Sequence, residues 1–83
     1  DEVYSWTAPT SGAPVHHYVA QVLVNRTDTL VFHDLSTTTL RFPAEYGDDY
    51  MVRVAAVTAD NRQGPWSNWS VPYMVEAETP GFN

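Results

Sequence analysis

The chain has 83 residues, 43% of them hydrophobic, with eleven aromatics, no cysteine and no lysine, and ten acids against four arginines leave a net charge of −6. That is enough chain for one domain and too little for two, and the missing cysteines exclude a small disulfide-stapled scaffold. An acidic surface repels phosphate backbones and anionic lipid, and no apolar run approaches ~18 residues, so neither nucleic acid nor membrane insertion is expected.

Strand signals dominate in chain order. Asp1–Pro9 carries Val3, Tyr4 and Trp6 and stops at Pro9, and Thr10–Pro14 is a Ser-Gly-Pro loop by composition. Val15–Asn25 alternates, with Tyr18, Ala20 and Val22 on one face and Val19, Gln21 and Leu23 on the other. Arg26–Thr29 reads as a turn. Leu30–Leu35 and Thr37–Phe42 read as short strands, helped by the extended-backbone preference of Ser36–Thr39. Pro43–Asp49 is a turn. Tyr50–Thr58 is the clearest strand: Tyr50, Val52, Val54 and Ala56 face one way, and Met51, Arg53, Ala55 and Val57 the other. Ala59–Pro65 is a loop, Val71–Ala77 the last strand, and Glu78–Asn83 a polar tail. Turn signals recurring every ~8–12 residues predict an all-β, immunoglobulin-like antiparallel sandwich. We expect one domain over residues 1–77 and a tail or linker over 78–83. The start at Asp1 rather than Met fits a mature product or an excised piece.

The order of these signals resembles the fibronectin type III domain. Trp6 and Pro9 match its early tryptophan and proline, Val15 and Tyr18 its third strand, and Tyr50-x-Val52-x-Val54-x-Ala56 its sixth. Gly64-Pro65-Trp66-Ser67 fits its close, so the resemblance covers nearly the whole chain. It implies two antiparallel sheets on a Greek-key path, with Trp6, Tyr18, Val52 and Val54 in the core. It also implies a tyrosine corner at Tyr50, with Tyr46 the weaker candidate. The family places a full strand before its early tryptophan, whereas only five residues precede Trp6 here. The resemblance therefore implies a domain that lacks its own first strand and has an open sheet edge. Cleavage or disorder of that strand, its donation by another chain, or placement of the tail Glu78–Asn83 along a neighbour's edge would each account for this.

Trp66-Ser67-Asn68-Trp69-Ser70 resembles the tryptophan-serine box of class I cytokine receptors. There, tryptophans alternate with arginines of the sixth strand in a stacked ladder, each guanidinium-indole contact contributing ~0.5–2 kcal/mol. Arg53 is placed to be one rung. The second arginine expected two residues later is Ala55, and Arg62 in the following loop is its only nearby substitute. The same Gly-Pro-Trp-Ser close is similar to bacterial extracellular fibronectin-like modules. Arg53, Trp66, Ser67, Trp69 and Ser70 are thus a structural brace first and a candidate binding surface second.

Asn25-Arg26-Thr27 and Asn68-Trp69-Ser70 match the N-glycosylation pattern, making Asn25 and Asn68 candidate acceptors in a secreted eukaryotic chain. His16 and His17, adjacent on a strand, are expected to point to opposite faces and so not to share a metal ion; no metal or cofactor is expected. No nucleophile elbow, zinc-helix motif or phosphate loop is present, so no catalytic residues are expected. The expected role is a non-catalytic extracellular or cell-surface module, structural or adhesive, of a larger bacterial surface or secreted protein. The alternatives are a self-assembling filament subunit, pairing through the edge near Asp1–Ala8 or the tail, and a cytokine-receptor-like ligand-binding domain.

Overall fold

The computed structural model describes residues 2–10, 12–45 and 47–74. Among them there is no helix, and six strands form two antiparallel sheets: β1 (Glu2–Ser5), β2 (Val15–Val24), β3 (Asp28–Leu35), β4 (Thr39–Phe42), β5 (Asp49–Thr58) and β6 (Tyr73–Met74). One sheet is β1-β4 and the other is β3-β2-β5-β6. The all-β reading therefore holds.

The expected strand at Val71–Ala77 is described only at Tyr73–Met74, and Val75–Ala77 lie outside the described residues. The strand expected from Thr37 begins at Thr39. It pairs with β1, because the chain crosses between the sheets over Ser36–Thr38. The turn expected over Arg26–Thr29 is tighter. Asn25 and Arg26 both hold positive φ (50° and 60°), and Thr27 N–H donates to Val24 C=O at 3.0 Å. Two such residues make the mirror-image turn whose twist suits a two-residue hairpin, so β3 already begins at Asp28.

β2 and β5 are the longest pair, running antiparallel from Val15 opposite Thr58 to Val24 opposite Tyr50. Valine-rich alternation gives β5 two usable faces. Tyr50, Val52 and Val54 join Tyr18, Ala20 and Val22 of β2 and Leu40 and Phe42 of β4 in one buried cluster shared by both sheets. Phe42, Val22 and Val52 are its most completely buried large side chains, each contributing ~1.5–3 kcal/mol of transfer free energy. Trp6 packs half-buried on this cluster, edge-on to Tyr18 at 5.3 Å. Its indole N–H is shielded from water without a partner. Tyr4 meets Tyr73 edge-on at 6.1 Å, joining β1 to β6 across the sheets.

The expected corner is present at Tyr50. Its hydroxyl accepts from Glu45 N–H at 2.7 Å and reaches Asp48 Oδ2 at 3.4 Å. The competing candidate, Tyr46, lies outside the described residues. Asn25 locks the same end of the molecule: its side-chain amide donates to Asp48 Oδ1 and its Oδ1 accepts from Asp49 N–H.

Tyr50→Phe should cost about 1–2 kcal/mol, because it leaves the part-buried Glu45 N–H without its acceptor. Urea denaturation should show a lower midpoint with an unchanged slope. Burial, followed by Tyr4 and Glu2, pushes the Tyr73 phenol above the usual tyrosine range. The neutral phenol is thus the form the fold favours. Its contribution is complete below about pH 10 and is lost as pH rises through the folded value. Tyr73→Phe should flatten the alkaline limb of the stability profile.

Candidate functional site

The site grows from an edge problem. The middle of β5 has β2 on one side, and its other side needs partners for the backbone groups of Val52 and Val54. After β5 the chain turns over Thr58–Arg62, with Asn61 at φ 69°. It returns past Gly64, whose N–H donates to Ala56 C=O at 2.8 Å. Pro65 then has no N–H to offer, and Trp66–Pro72 is not a strand.

Two serines substitute for the strand. Ser67 N–H donates to Val54 C=O at 2.8 Å, and Ser67 Oγ accepts from Val54 N–H at 2.9 Å. Ser70 repeats this with Val52, at 2.8 Å and 2.9 Å. Each hydroxyl then donates onward, Ser67 to Asn68 C=O and Ser70 to Val71 C=O, both at 3.0 Å. One serine therefore satisfies both backbone groups of a strand residue and its own hydroxyl. A hydroxyl on Cβ, as in serine and threonine, offers a donor and an acceptor this close to the main chain.

The same clasp sets the tryptophans. Arg53 lies between Val52 and Val54 and faces outward. Its guanidinium carbon is 4.7 Å from the Trp66 ring centroid and 4.5 Å from that of Trp69. Its Nε–H donates to Gln21 Oε1 at 2.7 Å, and Gln21 is its cross-strand partner on β2. The guanidinium is therefore held by both rings and an amide. Trp66 also packs over Val19, Ala55 and Val57 on the outer face. At the position where the resemblance implies a second arginine, Ala55 provides a floor for Trp66. Arg62 does not substitute: it is exposed, and its Nε lies 3.1 Å from Asp60. The ladder has one arginine rung between two indoles.

Arg53, Trp66, Ser67, Trp69 and Ser70 are thus brought together. Gln21 joins them unforeseen; the alternation of β2 turns it outward, but only the register with β5 shows that it meets Arg53. Asn68 is exposed beside the ladder. Asn25 is already engaged in the hairpin end through both polar atoms of its amide.

The histidine expectation needs correction. His16 and His17 do not point apart: their Nδ1 atoms are 3.0 Å from each other. The register between β2 and β5 shifts between Val15 and His17, giving β2 one extra residue there. A bulge breaks strict alternation and places neighbouring side chains on one side. Among the described residues, no three His, Cys, Asp or Glu side chains converge as a metal-holding group.

An open apolar groove of about 720 Å³ lies beside Tyr4, Trp6, Tyr18, Val54, Pro65 and Trp66. Among the described residues, β1 pairs with β4 on one side and with nothing on the other. No family model, no curated protein and no solved structure matches the chain.

Arg53→Ala should lower stability by about 1–2 kcal/mol through lost stacking and stem packing. Arg53→Met keeps the stem, so the difference between the two variants measures the cationic share. Equal denaturation midpoints for wild type and both variants would remove the ladder from the stability of the fold. Ser67→Ala should cost about 1–3 kcal/mol, because Val54 N–H loses its acceptor in a part-buried position. Hydrogen exchange should quicken at that amide first.

Proposed function

We propose that the chain is a fibronectin type III-like β-sandwich serving as a non-catalytic extracellular module, structural or protein-binding, within a larger surface or secreted protein. The observation that carries this reading is the Trp66-Arg53-Trp69 stack clasped to β5 by Ser67 and Ser70. Three large side chains and two serines stiffen one sheet margin and line no catalytic group. The strand order supports the same reading, since β1 to β6 follow the sequence of the family's second to seventh strands. The stack also favours a receptor-like variant of the module, in which the braced face stands beside a ligand-contacting surface. The absence of a second arginine rung counts against that variant.

A second reading, self-assembly by strand donation, is favoured by the free side of β1 and the apolar groove next to it. Val3, 43% exposed on that strand, supplies an apolar contact for an incoming segment.

Size-exclusion chromatography with light scattering separates these readings. A monomer of 9.3 kDa across a wide concentration range is expected for the module. High-mass species that persist on dilution, or fibres by negative stain, would favour assembly in its place. Intact mass of native material addresses the receptor-like variant, which predicts glycan on Asn25 or Asn68 or mannose on the chain; an unmodified mass would count heavily against it.

A further inference from the structure

We propose that His16 and His17 form a surface chelate for a borderline divalent transition-metal ion, with Asp34 as the outer partner of His17. The inference is independent of the preceding reading. It rests on two strand irregularities at one corner of the large sheet. The first is the bulge on β2, which puts both imidazoles on one side. The second is on β3, where the register with β2 shifts between Tyr18 and Ala20 and Asp34 adopts φ 57°. Aspartate tolerates that conformation better than most residues, and here it brings the carboxylate to His17. Asp34 Oδ1 is 3.7 Å from His17 Nε2. His17 thus directs Nδ1 at His16 and Nε2 at a carboxylate. At that distance Asp34 stands near the distal nitrogen without a hydrogen bond to it, on the side where metal-bound histidines commonly find an acid.

The chemistry of the two nitrogens orders the metals: a pair of imidazoles binds divalent ions in the order in which Cu²⁺ exceeds both Ni²⁺ and Zn²⁺. Without metal, one Nδ1 carries a proton and donates to the other, the ring centroids lying 5.2 Å apart at 86°. Binding moves that proton through solvent to the same ring's Nε2 and turns the rings about their soft terminal torsions until both Nδ1 lone pairs face the ion. His16 is exposed, so solvent can complete the coordination sphere.

Calorimetric titration of the full chain with Cu²⁺, Ni²⁺ and Zn²⁺, in a buffer that does not bind metal, tests the assignment. One saturable site is expected, tightest for Cu²⁺, with a melting temperature that rises with Ni²⁺. His16→Ala and His17→Ala should each weaken binding by an order of magnitude or more, Asp34→Asn by less, and His33→Ala, at the exposed β3 histidine that lines a hollow with His17 and Asp34, by under twofold. Should His17→Ala fail to fold by circular dichroism, His17→Gln gives the same reading. Absence of saturable binding, tighter binding of Ni²⁺ or Zn²⁺ than of Cu²⁺, or an equal loss in His33→Ala would overturn the proposal.

Discussion

The antiparallel pairing of β2 with β5 is the constraint on which the rest of the molecule depends. It fixes which residues of each strand face the core, and one step of slippage of β5 would send Val52 and Val54 outward. The same register puts Gln21 opposite Arg53 and so sets where the guanidinium is held. Core and brace are therefore two faces of one strand pair. A substitution that loosens Val52 acts on the ladder as well as on the cluster beneath it.

Much of this was legible because two-residue alternation is strong in the two long strands. Alternation alone puts Tyr50, Val52 and Val54 on one face and Arg53 on the other; the resemblance makes the first face the core and implies the tyrosine corner. What escaped the sequence were the departures from alternation. His16 and His17 read as opposed because a bulge leaves no mark in a run of Val, His and Tyr. The Asn25-Arg26 turn was misplaced because Arg26 gives no sign that it will hold a positive φ. The later start of the fourth strand, at Thr39 rather than Thr37, was hidden for a different reason. Four consecutive hydroxyl residues favour extension everywhere and do not say where the chain changes sheets.

The candidate site divides in the same way. Trp66 and Trp69 stood out by composition, and Arg53 by its face. The sequence groups Ser67 and Ser70 with the brace but does not say what their hydroxyls bond. Their role is visible only when the backbone of β5 is seen to need partners that an irregular segment cannot supply. Ala55 likewise looked like a gap in an arginine pattern; in space it is the surface on which Trp66 lies.

The serine clasp has a further consequence for the two ends of the sheet system. A regular strand beside β5 would offer a fresh ladder on its far side, and each added strand would invite another. Ser67 and Ser70 satisfy β5 from a segment that itself has no ladder to extend, so pairing stops there. On the smaller sheet, β1 has no equivalent stop among the described residues. The middle of β5 is therefore capped, while β1, β3 and β4 each keep one side that pairs with no strand among the described residues.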